Sequence, residues 1–434
     1  MHPRRLIVFL PCHSLGDFPT WLDESEADDL LSAFTAAWHP ALIAAAGRMP
    51  EWASIDMPPS DLSSAVGIVP AAWEDRFAAC VDATVLEGSA WVRGVAGREA
   101  IVAAALAACG AESSPEADRL AADFHALGLA WLLAELLARR MRSATGLEAS
   151  GFEAAVVAAA RGAVAGDEQA VRGHLAECFA ALETARSHYY PVDVWLLDLV
   201  LLAGSTLGVS LDEELASPFP LGIVATGEVI ESLAGRNPTA LARLRERVAA
   251  GSIAAVGGRQ DARPLDLCTI GEIEAGLDRG MAAWREHVGA APATFGQIAG
   301  GSSAFLPGIL AARGYSGVIW SLFDGTSLPD PGAGRILWAG QGDATIDAVA
   351  RPPLDARQAR SVLQLAERIG DAMDHDHTVV LQFAHYPGTA SRWHGDLRRI
   401  GAWSKVFGEF VTPDELFRRT SGAGATVDFP ADAF

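Results

Sequence analysis

Two histidines and a few carboxylates are the residues whose types and positions could do chemistry in this chain. His13 stands with Asp17 in PCHSLGDFP, and His385 stands in the polar stretch AHYPGTASRWHGDLRR. Neutral imidazoles with a carboxylate such as Asp17 or Asp324 can hold zinc or another divalent metal, with a position open for water. The plainer alternative is that each histidine only hydrogen-bonds a strand-end carbonyl. Neither loop has an HxH or HExxH spacing. His375 and His377 do have HxH spacing in MDHDHT, but they precede an apolar strand, where a solvated turn is expected.

Carboxylates are the second resource. Cleavage of a glycosidic bond uses two of them, one protonated and one ionised. Glu228 follows ATG, Asp261 follows GGRQ and Asp324 follows IWSLF, so any two could face one pocket. Each alone could equally be a helix cap, a turn residue or an ion-pair partner. Asp193 and Asp198 in VDVWLLDLVLLA, and Glu135 in a greasy helix, need partners if they are buried. Trp320, Tyr386 and Trp393, with His394 beside them, could line a sugar site, because aromatic faces are apolar platforms for sugar rings. Among 12 tryptophans some belong to the core. GGRQ and AGGSSAF fit neither GxGxxG nor GxxxxGK[ST], although AGGSSAF at a helix start could bind an anion through backbone N–H groups. There is no GxSxG, so nucleophilic serine chemistry has no support.

The elements that must position these groups read as strand-then-helix units. From Pro220 to Phe323 four such units follow one another, with short apolar runs ending at Val224, Val256, Ile298 and Trp320. Apolar runs alternating with helical stretches predict parallel strands buried on both faces, with the functional loops after the strands. Strands starting near Leu6, Val66, Leu221, Ile253, Thr294, Gly317 and Thr378 make seven. The expected class is α/β, a seven-stranded (β/α)7 barrel-like domain with a helical insertion; an open doubly wound sheet is the alternative. Closure would set His13 and His385 side by side at the mouth. The insertion is placed at 115–190, where three helices fit (Glu116–Arg142, Gly151–Val164, Asp167–Ser187), between first barrel units at 1–114 and the remaining units at 191–434. Val192–Ala203 fits a strand or a buried helix equally well.

Composition narrows the partners. The 434 residues carry 33 Lys+Arg against 54 Asp+Glu, a formal charge of -21, which disfavours the phosphate contacts that nucleic acids require. Five scattered cysteines without a CxxC pair read as buried hydrophobes in a reducing compartment. The apolar run before Pro11 is shorter than the roughly 7–15 residues of a signal core, and no run approaches the roughly 20 that span a bilayer. The expectation is a cytoplasmic protein with no nucleic-acid and no membrane partner.

Several stretches together, PCHSLGDFP, YPVDVWLLDL, ATGEVIESL, FLPGILAARGYSGVIW, FDGTSLP and FAHYPGTASRWHGDLRR, resemble uncharacterised bacterial, notably planctomycete, proteins of glycoside hydrolase family 38-like type. These are related to the seven-stranded barrels of families 38 and 57. The resemblance implies a retaining-type carbohydrate-active barrel, in family 38 a zinc-dependent mannosidase with an aspartate nucleophile. It sets His13 on the first-strand metal histidine and His385 on the last-strand one. Leu15 stands where that family has an aspartate, and Ala299 in GQIAGGS stands at the nucleophile; alanine neither attacks nor binds zinc. Arg259 and Ala262 lie where relatives carry glutamates. Three readings therefore stand open. The first is a glycosidase-like enzyme with a pocket built from the loops at His13, Glu228, Asp261, Asp324 and His385. The second is a catalytically inactive barrel that binds a glycan, a protein or an active paralogue, and the third is a metal-dependent polysaccharide deacetylase-like hydrolase.

Overall fold

The computed structural model describes residues 5–81, 89–298, 300–320, 332–341, 344–373 and 378–429. In chain order the strands are β1 (Arg5–Leu10), β2 (Glu51–Ser54), β3 (Ala65–Ile68), β4 (Ala90–Val92), β5 (Val194–Leu201), β6 (Leu221–Ala225), β7 (Ile253–Gly257) and β8 (Thr294–Gly296). They continue with β9 (Gly317–Ile319), β10 (Arg335–Ala339), β11 (Thr345–Val349), β12 (Leu354–Asp355), β13 (Val379–His385), β14 (Glu409–Phe410) and β15 (Ala425–Asp428). The helices of the first half are α1 (Glu24–Ala36), α2 (Pro40–Ala46), α3 (Glu74–Cys80), α4 (Arg98–Cys109), α5 (Pro115–Arg140), α6 (Ala149–Ala165), α7 (Glu168–Tyr189) and α8 (Val209–Ala216). Those of the second half are α9 (Gly227–Arg236), α10 (Pro238–Ala249), α11 (Ile270–His287), α12 (Leu306–Ala311), α13 (Ala359–Leu363), α14 (Leu365–Met373), α15 (Arg392–Trp403) and α16 (Pro413–Arg419). The chain forms two compact units: unit 1 is Met1–Pro191 with Gln358–Gly370 and Ser391–Phe407, and unit 2 is Val192–Arg357 with Asp371–Ala390 and Gly408–Phe434.

Unit 1 holds a parallel sheet in the order β2-β1-β3-β4. The apolar run of β1 is buried on both faces, as its composition requires, and Phe9 packs among Phe77 and Trp91. Gly67 is needed there: a Cβ would lie 2.3 Å from the Trp91 ring. The three helices expected between 115 and 189 are α5, α6 and α7. Ser114 caps α5 by accepting from the Ala117 amide, with Pro115 in the first turn, and Gly166 ends α6 in the left-handed conformation. Of the described helices α5 alone is long and apolar enough to cross a bilayer, and 78% of its most apolar window is buried inside the protein.

Unit 2 holds a sheet in the order β12-β13-β5-β6-β7-β8-β9-β11-β10-β15, with β14 sharing an edge of β5 with β6. From β12 through β11 all pairings are parallel; β10 is antiparallel to β11 and parallel to β15. Val380 on β13 and Val349 on β11 stand six strands apart along that path, yet share one apolar cluster with Leu197, Val224, Val256 and Phe417. The sheet therefore curls, with those residues on its inner face. Helix α16 fills the curl at the strand starts: a Cβ on Gly222 would meet Pro413 at 2.9 Å, one on Gly317 would meet Phe417 at 2.5 Å, and Thr294 donates to Asp414 at 2.8 Å. The outer face is covered by α8 to α11, which bury Val200, Ile223 and Ala255.

The α/β class and the curled parallel sheet agree with the barrel-like expectation; the count and membership of its strands do not. Strands β1 and β3 pair in unit 1, so five of the seven expected strands lie in the large sheet, joined by β5, β10, β11, β12, β14 and β15. No pairing among the described residues closes the sheet.

Candidate functional site

The loops after β6, β7 and β8 are built as one piece. Gly257 and Gly258 turn with φ of 124° and 107°, which a side chain would strain. The Tyr315 hydroxyl donates to the Gly257 carbonyl at 3.1 Å and would lie 1.9 Å from a Cβ on Gly258. Gly280 lets α11 press against the same turn, where a Cβ would lie 2.2 Å from the Gly258 carbonyl oxygen. The turn then bonds to the start of α9: the Gly227 amide donates to the Arg259 carbonyl at 2.8 Å and the Glu228 amide to the Gln260 carbonyl at 3.0 Å. Gln260 Nε2 donates to Glu231 at 3.1 Å. On the other side the Leu265 amide donates to the Gly300 carbonyl at 3.3 Å.

This scaffold brings Glu228 and Asp261 to one corner of the strand ends. Glu228 is exposed in the first turn of α9, where the helix dipole favours a carboxylate. Its side chain has no hydrogen-bond or ion-pair partner among the described residues. Asp261 is held differently: it accepts from the Arg263 amide at 3.1 Å and from the Arg263 Nε at 3.3 Å, and faces Arg259 Nη2 at 3.5 Å. Arg259, 5% exposed, also donates to the Arg263 carbonyl. Burial pushes its pKa down, while Cys268 and Asp261 work the other way. Asp261 is thus a carboxylate clamped by two guanidinium groups. Asp324 and Ala299 lie outside the described residues, as do His375 and His377.

On β13 the side chains alternate between the two faces. Gln382 is buried on the inner face with Val380 and Ala384, and half-buried Tyr386 packs against the same inner cluster. Arg357 beside it is paired with Asp355 at 2.7 Å, and Tyr386 adds to the field that raises the Arg357 pKa. His385 has the opposite parity. It turns to the helix-covered face, fully buried, with Nε2 at 3.2 Å from Asp198 Oδ1 and Nδ1 at 3.0 Å from the Tyr386 carbonyl and 3.7 Å from Glu214. Both ring nitrogens face acceptors, and both act as donors only in the doubly protonated ring. The 3.2 Å spacing also suits two ligands of one divalent cation. Asp198, noted in the sequence as needing a partner, has found one; Glu214 on α8 carried no signal that could have singled it out.

Other expected site residues have different work. His13 is exposed, 3.8 Å from Asp56, on the β1 loop of unit 1, so it and His385 belong to different sheets rather than to the mouth of one barrel. Asp17 accepts from the His13 and Ser14 amides at 2.9 and 2.6 Å and from the Ser14 hydroxyl at 2.7 Å. These bonds hold its pKa down to about 2. Trp320 is a core residue, packed edge-on to Trp338 at 5.3 Å. Trp393 and His394 are buried on α15 in unit 1; Trp393 donates to Asp28 at 2.7 Å and lies under the Arg98 guanidinium at 4.4 Å. From the sequence, Trp393 and His394 read as loop residues because the helical period of α15 begins within the polar stretch itself.

No protein-family model matches the chain, and no curated protein matches it. Among solved structures it is similar to a 4-alpha-glucanotransferase from Thermococcus litoralis (TM-score 0.41, 12% identity, covering 55% of this chain and 42% of that one). An alpha-mannosidase from Enterococcus faecalis V583 matches with TM-score 0.41 and 12% identity over 54% of this chain and 30% of that one. A GH57-type branching enzyme from Pyrococcus horikoshii matches with TM-score 0.39 and 10% identity over 55% of this chain and 72% of that one. The chain thus spans less than half the length of the first two. At such identity and overlap the likeness bears on neither substrate nor residue roles.

Proposed function

We propose that unit 2 is a carbohydrate-active, glycoside hydrolase-like barrel whose glycan lies across the C-terminal ends of β6, β7 and β13. The observation that carries the reading is the joined turn that fixes exposed Glu228 beside clamped Asp261 at adjacent parallel strand ends. Tyr386 follows β13, two strands from β6, about 10 Å at the usual strand spacing, a span that suits a sugar ring. In this reading Tyr386 gives the ring an apolar face, Glu228 exchanges a proton with the glycosidic oxygen, and Asp261 supplies negative charge beside the developing oxocarbenium ion.

The second reading, a glycan- or protein-binding barrel without turnover, is favoured by the arginine clamp itself, since Asp261 is already committed to holding its own loop. Calorimetry with a panel of oligosaccharides, run beside hydrolysis of aryl glycosides, separates the two. Binding with hydrolysis that falls at least tenfold in Glu228→Gln supports the enzyme; stoichiometric binding without hydrolysis supports the module. A metal-dependent deacetylase-like role requires a divalent cation at Asp198 and His385 or elsewhere. Elemental analysis of the purified protein decides that reading.

A further inference from the structure

Unit 1 contains a cleft that the strand-end loops of unit 2 do not explain. Its volume is about 300 Å³; Leu15 and Phe18 of the β1 loop line one side, Arg139, Arg140 and Arg142 at the end of α5 another, and Glu367 of α14 a third. Three guanidinium groups against one carboxylate is an unusual balance in a chain of net charge -21. A helix C-terminus favours cations, which accounts for Arg139. Arg142 follows the cap of α5 in the left-handed conformation (φ 53°) that ends the helix, with the Ser143 amide donating back to the Ala138 carbonyl at 2.9 Å, and it lines the cleft with Arg139. Neither Arg139 nor Arg142 has an acidic partner among the described residues.

The single carboxylate is already engaged. Glu367 accepts from Thr20 Oγ1 at 2.7 Å and from Trp21 Nε1 at 3.1 Å. Trp21 is 66% exposed, yet its indole is fixed by that bond and by the Arg368 guanidinium 5.4 Å from its ring. An exposed aromatic face held in one orientation offers an apolar platform at little ordering cost. Asp17 completes the arrangement, because its bonds to His13 and Ser14 hold the loop that presents Leu15 and Phe18.

We propose that this cleft binds a monosaccharide-sized anion, a sugar carrying a carboxylate or a phosphate. Arg139 and Arg142, which line the cleft, take the charge, and Trp21, outside the lining but held beside it by its bond to Glu367, takes the ring; the volume falls at the small end of ligand sites. The site is separate from Glu228, Asp261 and Tyr386 and stands whether or not that site binds glycans.

The test is calorimetry of the full chain with glucuronate, glucose 6-phosphate, glucose and inorganic phosphate. Saturable binding of glucuronate or of glucose 6-phosphate is expected, whichever is preferred naming the anion, with glucose and inorganic phosphate each about tenfold weaker or more. Arg139→Gln/Arg142→Gln, two exposed changes that keep side-chain length, should weaken binding at least about tenfold with an unchanged circular dichroism spectrum. Glu228→Gln/Tyr386→Ala should leave it intact. Binding of neither sugar anion, glucose or free phosphate as tight as the sugar anions, or full affinity in the double Gln variant would overturn the proposal.

Discussion

At the scale of single residues, burial decides which charges hold the protein together. Arg98 and Asp396 form an ion pair with side chains 6% and 8% exposed. Desolvation raises the Asp396 pKa and Arg98 opposes it. Arg98→Met leaves that carboxylate without its partner and should cost about 3–5 kcal/mol in urea unfolding. Adding Asp396→Leu should recover much of the loss, since an apolar pair replaces a desolvated one. Asp17 is the exposed counterpart. Its pKa of about 2 lies below the ordinary carboxylate value, so its contribution is complete above pH ~4 and is lost as pH falls toward 2. Hydrogen exchange of the His13 and Ser14 amides in Asp17→Ala should be faster than in the parent at pH 6, and the difference should shrink towards pH 2.

At the scale of elements, the turn after β7 and the helix in the curl are the parts most open to test. Gly258→Ala puts a Cβ on the Tyr315 hydroxyl at a φ of 107°. It should cost about 1–3 kcal/mol by overpacking and strain, read in chemical denaturation, and should weaken glycan binding by moving Glu228 and Asp261. In α16, burial raises the Asp414 pKa, with the bond from Thr294 opposing it. A raised carboxylate pKa means the native state binds the proton more tightly, so this group favours folding below pH ~4 and loses that contribution as pH rises. Asp414→Asn, which can still accept from Thr294, should raise the thermal midpoint at pH 7, with the gain vanishing in acid.

Legibility in the sequence divides along the same line between local and distant interactions. The runs that became β6, β7, β8, β9 and β13 were plain, because strands buried on both faces read as short apolar blocks. β5 stayed ambiguous because VWLLDLVL is long and apolar throughout, and β12, two residues long, has no pattern to read. Sheet membership was hidden for β1 and β3, since pairing with Glu51–Ser54 and Ala90–Val92 depends on contacts far along the chain. Of the proposed site, Glu228, Asp261 and Tyr386 stand out in the sequence by their place after strands. The orientation of His385 was missed, because a side chain at a strand end can face either layer and the helix over it decides which.

At the scale of the whole molecule, curled parallel sheet and joined strand-end loops are the features that the proposed function rests on. The acidic balance bears on partners: no retention on immobilised duplex DNA is expected near 150 mM salt, where a protein without net positive phosphate contacts has little affinity. The most direct test of the central claim is calorimetry of the folded chain against neutral and acidic oligosaccharides, with Tyr386→Ala and Glu228→Gln beside the parent. The account predicts saturable binding of at least one glycan, weakened about tenfold or more in Tyr386→Ala, as loss of a stacked aromatic face implies. A folded protein that binds no glycan, or binds one equally well in both variants, would contradict it.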